Sequence, residues 1–214
     1  MDSATPKQFL KLGDHSILYY SIQRYLNIPT VAEIIVICAA ELLNSKSLTD
    51  AIPADAMSRV SVIPGGKRRQ DSVYNGLNSI AADTDIVCIH DAVRPFVALE
   101  SIQNSIDLCR DYDGAIVAAP SLNTLKECQK GLITSTIDRA TIWQAQTPQT
   151  FRKDILVRAY EYAIQHNMTA TDDASFVEAI GGKIAIVEGS NWNIKITDPT
   201  DLLVARAIHE KEIL

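Results

Sequence analysis

"DIVCIHDAVRP", Asp85 to Pro95, is the stretch on which the fold turns. Its first half, Ile86 to Ile89, is a short apolar run rich in β-branched residues, the composition of a strand buried on both faces. Its second half is polar and ends in proline, so the strand empties into a loop carrying His90, Asp91 and Arg94. A buried strand that opens into charged residues at its carboxyl end belongs to an α/β sheet with a ligand site along the strand ends.

The same pattern recurs on both sides. "EIIVICAA" (Glu33 to Ala40), "RVSVIPGG" (Arg59 to Gly66), "GAIVAAP" (Gly114 to Pro120) and "GKIAIVEG" (Gly182 to Gly189) read as strands. Between them apolar residues fall at helical spacing: Val73, Leu77 and Ile80; Ile102, Ile106 and Cys109; Ile155, Leu156, Ala159, Tyr160 and Ala163. A last helix, carried by Leu202, Leu203, Ala205, Arg206 and Ile208, starts at Asp198-Pro199. The alternation predicts a mostly parallel α/β sheet in one domain spanning residues 1–214. "NTLKECQKGLITSTIDR" (Asn123 to Arg139) departs from it. It reads as two polar strands around Gln129-Lys130-Gly131, a protruding β-hairpin over about residues 123–137 that needs cover from a partner subunit.

The 214 residues are 47% hydrophobic and 21% charged, with a net charge of -6, so the chain is not globally attracted to nucleic acid or an anionic membrane. An anionic ligand must be met by a local cluster of positive charge. Cys38, Cys88, Cys109 and Cys128 form no C-x-x-C pair, which predicts free thiols in a reducing compartment. There is no apolar run of about 18 residues and no basic-then-apolar leader, so a cytosolic protein is expected.

Four polar clusters fall at predicted strand ends. "GGKRRQDS" (Gly65 to Ser72) offers two glycines for close backbone approach and Asp71 or Ser72 to cap a helix; it is equally a glycine turn with a capped helix. "HDAVRP" sets a carboxylate and a guanidinium three residues apart, suited to a polar, phosphorylated or metal-bound ligand or to an internal Asp91–Arg94 pair. His90 reads as a packed or hydrogen-bonding residue, because no second His or Cys stands at ligand spacing. In "TIDR…QTPQ", Arg139 and the loop residue Thr147 suit phosphate or sugar hydroxyls, or simple turn chemistry. In "TDDAS", Thr171 is expected to begin a helix with Asp172 and Asp173 in its first turn. In "NIKIT", Lys195 sits in a strand-like frame of Ile194 and Ile196, either snorkelling or aimed into a site. Lys7, Arg69, Arg94, Arg139 and Lys195 thus supply positive charge, and no nucleophile–base pair stands out. The pattern holds phosphates and stabilises charge.

"PKQFL", "GGKRRQDSV", "HDAVRPFV", "NTLK", "TIDR", "WQAQTPQTF", "TDDASFVE", "VEG" and "NIKIT…DL" resemble, in order and spacing, the motifs of 2-C-methyl-D-erythritol 4-phosphate cytidylyltransferases, from about Pro6 to Leu203. The resemblance implies a Rossmann-like nucleotidyltransferase sheet and transfer of CMP from CTP to methylerythritol phosphate, with release of pyrophosphate, in the non-mevalonate isoprenoid route. It implies Mg²⁺ held mainly by the CTP phosphates, a cytoplasmic or plastid location, and a homodimer in which each β-arm helps complete the partner's site. Residue by residue, it makes Lys7 the stabiliser of the pentavalent transition state. It places Gly66 and Ser72 around the cytidine, Asp91, Arg94, Thr124 and Thr171 on the sugar phosphate, and Arg139 and Lys195 on its phosphate. A ribitol-5-phosphate cytidylyltransferase shares the sheet and several motifs, although "RQDSV" and "TDDAS" favour the first family.

Two departures accompany the resemblance. The family opens with a strand and an A-A-G-x-G-x-R-M loop, and Met1 stands where that last M would be. The expectation is that Met1 is an internal methionine read as a start and that the chain as written binds CTP poorly. A non-catalytic homologue that has lost its nucleotide loop fits that departure, while Lys7, Arg139 and Lys195 argue against it. Asn123 stands where the family usually has Asp, keeping the shape without the charge.

Overall fold

A computed structural model describes residues 5–211, so Met1 and the reading placed on it lie outside the described residues. A turn of 3-10 helix, Lys7–Phe9, leads into a small hairpin, β1 (Lys11–Leu12) and β2 (His15–Ser16), and then into α1 (Ile17–Leu26), which Ser16 caps by accepting the Tyr19 amide. β3 (Ile34–Cys38), α2 (Lys46–Thr49), β4 (Val60–Pro64), α3 (Arg69–Leu77), β5 (Ile86–Ile89), α4 (Leu99–Leu108) and β6 (Gly114–Pro120) follow. The arm is β7 (Leu125–Gln129) and β8 (Leu132–Ile137). β9 (Trp143–Arg152), α5 (Lys153–Gln165), α6 (Ala174–Ala179), β10 (Ile184–Glu188) and α7 (Pro199–Glu210) complete the order.

The main sheet runs β10-β6-β9-β5, and β3 pairs with β4 alone. β10 is parallel to β6, and β3 to β4, as the apolar runs predict. β9 lies antiparallel to both β6 and β5, so the other three strands of the main sheet share one direction and β9 alone is reversed. The sheet is therefore mixed, within the α/β nucleotidyltransferase architecture expected.

β9 corrects the reading of Thr147 as a loop residue, since Gln144 to Thr150 belong to a ten-residue strand. Its apolar signal is weak because its buried positions include Gln146, Thr147, Gln149 and Thr150. Proline is tolerated in this interior strand because of a bulge. Gln149 pairs with Ile116 and Ala145 with Ala118, leaving residues 146–148 opposite Val117, where the absent amide hydrogen of Pro148 breaks no ladder bond.

Phe151, Leu156, Tyr160, Phe176 and Val177 pack β9, α5 and α6 together, each nearly inaccessible. Burying such a side chain contributes roughly 1.5–3 kcal/mol. Leu12, Ile17, Val93, Phe96, Ile196, Ala205 and Ile208 form a second cluster that seats α7 against the loop after β5. Asp198 caps α7 by accepting the Thr200 and Asp201 amides, with Pro199 as its first helical residue, as predicted. α3 ends at Leu77, so Ile80 packs on the core from beyond the helix. Among the described residues no helix is long and apolar enough to cross a membrane.

The arm forms as predicted. β7 and β8 pair with each other alone, and every residue of β8 is exposed, including Leu132, Ile133 and Ile137.

Candidate active site

Gly65 to Arg68 form the loop between β4 and α3. Gly66 donates its amide to Ser72 Oγ at 3.0 Å, and the Ser72 hydroxyl donates to the Arg68 carbonyl. A Cβ on Gly66 would lie 2.4 Å from Asp71 Cβ, so only glycine lets the loop close on its helix. Asp71 takes the capping role: it accepts the Arg68 amide at 3.1 Å and the Arg68 guanidinium at 2.7 Å.

Asp91, Arg94 and Lys195 meet. Asp91 Oδ2 accepts Arg94 Nε at 3.2 Å and Lys195 Nζ at 3.0 Å. Burial alone would raise the Asp91 carboxyl, but Lys195 and Arg94 hold it below the usual carboxylate range, so it stays ionised. Arg94 also donates to the Asn193 carbonyl at 2.7 Å. Lys195 lies in a segment that joins no ladder, which corrects the strand-like frame; the Ile196 amide docks it on the Val93 carbonyl, and Asn193 docks it on Arg94 and the Thr147 carbonyl. Ile196 is fully buried while the Lys195 side chain remains 43% exposed, so its ammonium has N–H groups to spare.

Behind this trio runs a relay that the sequence does not announce. The Asp91 amide donates to Thr147 Oγ1 at 3.0 Å, and Thr147 Oγ1 lies 3.0 Å from His90 Nδ1. His90 Nε2 lies 3.0 Å from the Arg94 carbonyl, which can only accept, so Nε2 carries the proton and Nδ1 takes that of Thr147. Burial pushes the imidazole down to about 4, and the neutral form fits both bonds. His90 is thus the hydrogen-bonding residue expected. The Thr147 hydroxyl, read from sequence as a ligand group, is spent inside the protein. The bulge in β9 also aims Gln146, which bonds the Ser190 carbonyl and accepts from Asn193.

Thr171 is exposed and precedes the helix it was expected to begin, because α6 starts at Ala174. Asp172 provides the cap, accepting the Ser175 amide and hydroxyl, while Gln149 bonds Asp172 and the amides of Asp173 and Ala174. Asp173 is fully buried, accepting Arg69 Nη2 at 2.6 Å and the Tyr160 hydroxyl at 2.5 Å. Burial and that carboxylate push the Tyr160 hydroxyl far up, so it remains a donor. Arg69, counted from sequence among the site cations, is engaged by Asp173.

Lys7 stands near the start of α7. The Asp201 carboxyl is held low first by the Thr197 hydroxyl and amide, and further by the charge of Lys7. Thr197, two residues beyond Lys195, donates both its amide and its hydroxyl to Asp201. Thr124 and Arg139 lie apart from this group, exposed at the base of the arm, where Arg139 donates to the Leu122 carbonyl. Among the described residues no hydrogen bond or ion pair joins them to the Asp91 trio.

The chain that carries this glycine loop, this shared carboxylate and this arm is similar over its whole described length to proteins of one family. The family model described as 2-C-methyl-D-erythritol 4-phosphate cytidylyltransferase matches residues 1–211. A relative of that name from Syntrophotalea carbinolica is 41% identical over 210 residues, covering 97% of this chain and 89% of its own. Another from Syntrophus aciditrophicus is 38% identical over 213 residues, covering 99% and 91%. Among solved structures, the enzyme of that name from Thermus thermophilus superposes with a TM-score of 0.83 at 28% identity, covering 97% of this chain and 96% of that one. The 4-diphosphocytidyl-2C-methyl-D-erythritol synthase from Anaerococcus prevotii gives a TM-score of 0.85 at 25% identity, covering 94% and 88%. On a match that runs through every motif of the site, this chain belongs to the 2-C-methyl-D-erythritol 4-phosphate cytidylyltransferase family.

Proposed function

We infer that the protein transfers CMP from CTP to 2-C-methyl-D-erythritol 4-phosphate, releasing pyrophosphate, as a nucleotidyltransferase of isoprenoid biosynthesis. The observation that carries this reading is the Asp91 trio, with two cations on one carboxylate at a strand end in a chain of this family. A phosphate oxygen of the acceptor attacks the α-phosphorus of CTP, and the bond from that phosphorus to the β-phosphate oxygen breaks. The attacking oxygen is already anionic, so the protein's work is to bring two repelling phosphates into line.

In this reading Lys195, steered by Asp91, grips the acceptor phosphate with Arg139. Asp91, Arg94, Thr124 and Thr171 hold the acceptor, Gly66 and Ser72 bound the cytidine, and Lys7 stabilises charge on the pentavalent phosphorus. The His90–Thr147 relay keeps Asp91 fixed beneath Lys195. A divalent cation, Mg²⁺ by expectation, would neutralise triphosphate charge. Among the described residues no group of three or more His, Cys, Asp or Glu side chains gathers, so the donor set fits a cation carried by the nucleotide phosphates.

The exposed arm supports a homodimer in which Thr124 and Arg139 serve the partner's site, with residues 1–214 acting as one catalytic unit. The four unpaired cysteines support a reducing, cytoplasmic setting. Ribitol 5-phosphate is disfavoured as acceptor, since the matching family and relatives carry the methylerythritol name. The test is CTP-dependent pyrophosphate release with each sugar phosphate in turn. Release with methylerythritol phosphate alone is expected; release only with ribitol 5-phosphate, or with neither, overturns the reading.

A further inference from the structure

The segment that carries Thr171 hangs from the first turn of α3, the helix that the glycine loop opens. Gln70 Nε2 donates to the Met168 carbonyl at 3.2 Å, three residues before Thr171. Arg69 Nη2 donates to Asp173 at 2.6 Å, two residues after it. Adjacent residues of one helical turn therefore hold the segment on either side of the exposed threonine. One turn further on, Ser72 closes the loop by accepting the Gly66 amide. The other supports of the segment, Gln149 on β9, Tyr160 on α5 and the Ala163 carbonyl that accepts the Met168 amide, lie in the packed core. Arg69 and Gln70 alone among these contacts lead to the glycine loop.

We propose that Arg69 and Gln70 are positioning residues that couple the nucleotide loop to the acceptor segment, so that CTP seated on Gly66 and Ser72 sets the place of Thr171. The proposal rests on the functional reading above. Its physical basis is the asymmetry of the Asp173 site. A fully buried carboxylate cannot lose its guanidinium partner cheaply, so a shift of α3 pulls on Asp173 against its core bonds to Tyr160 and Gln149. Burial also opposes the charge on Arg69, but the bond and charge of Asp173 prevail and strengthen it. Acceptor affinity then depends on the state of the loop, and loop affinity on the acceptor, through these two side chains.

The decisive variant is Arg69→Met with Asp173→Asn, which removes both charges and leaves no buried ion unpaired. Gln70→Ala alone, which disturbs no buried charge, guards against misfolding. Titration calorimetry of methylerythritol phosphate, with and without a non-hydrolysable CTP analogue, reads the coupling. In the unmodified protein the analogue is expected to tighten the acceptor by roughly 5–150-fold, with the same factor seen in the opposite order. In the paired variant that factor falls to about 1 while each ligand alone binds nearly as before, and Arg69→Lys with Asp173 intact restores part of it. Arm two uses no ligand. Ser72→Ala frees the Gly66 amide, and hydrogen exchange at residues 169–173 should quicken in the unmodified background but not in the paired variant. If exchange at 169–173 ignores Ser72→Ala in the unmodified background, or responds equally in both, the coupling is wrong. If neither CTP nor the acceptor binds while the Ser72 effect depends on Arg69, the functional reading fails and the coupling stands.

Discussion

Asp91 and Asp173 are two aspartates held by arginine, and they do opposite things. Asp91 shares one oxygen between Arg94 and Lys195, so two cations against one carboxylate leave a positive charge in excess. Asp173 meets one arginine and one tyrosine, so a single cation balances its single charge. The first cluster keeps surplus positive charge and the second keeps none. An ion pair marks a site when its charges do not cancel, and marks scaffold when they do.

The comparison breaks hardest at the scaffold. Arg69→Ala strands a buried carboxylate, and the expected loss is about 3–5 kcal/mol of stability, toward the lower end because water reaches the half-exposed guanidinium side. Urea unfolding measures it; a loss below about 1 kcal/mol would mean that Asp173 is protonated or rewired. Lys195→Ala should do the reverse, cutting kcat on the order of 10²-fold or more with a nearly unchanged unfolding midpoint. Near-normal turnover with a large stability loss would make Lys195 scaffold like Arg69.

Smaller effects sharpen the boundary between the two. Thr147→Val removes the shared hydroxyl and leaves the Asp91 amide and His90 Nδ1 without partners, at about 1–3 kcal/mol. Because burial lowers His90 from 6.5 to about 4, the unfolded chain binds the extra proton across that interval. Stability is therefore complete above about pH 6.5 and declines as pH falls toward 4. A His90→Gln variant should lack that component of the acid limb, and an unchanged profile would contradict the neutral tautomer. Deleting Gln129 to Gly131 at the arm tip should hardly move the midpoint while weakening self-association in light scattering. A monomeric intact protein at micromolar concentration would end the dimer proposal.

The strands that share one direction were legible because their apolar runs are continuous, as in Ile86–Ile89, half-buried at the end of the sheet, and Gly114–Pro120, buried almost throughout. β9 was not, because glutamines and threonines fill its buried positions and its proline reads as a break. α1 was passed over although Ile17, Leu18, Ile22 and Tyr25 fall at helical spacing behind the Ser16 cap, while β1 and β2, two residues each, are too short to show alternation. At the site, the charges of Asp91, Arg94 and Lys195 were visible, but not their sharing of one oxygen, which joins residues about a hundred positions apart in the sequence. Arg69 looked like any other cation near a glycine loop, since its partner Asp173 is 104 positions away. Sequence shows which residues carry charge; only the fold shows which charges are already cancelled.

The arm has a genetic consequence. Thr124 and Arg139 stand at its base, while Lys195 stands on the body. In the dimer proposed here, each site draws on both subunits, so the two classes of lesion are separable. An Arg139→Ala subunit and a Lys195→Ala subunit would each be inactive as homodimers. Paired with each other, they put both lesions into one site and leave the second intact. With random exchange about half of the dimers are mixed, so about a quarter of wild-type turnover should return when two dead proteins are mixed. Two copies of the gene, each carrying one lesion, should then complement in a cell that neither could sustain alone.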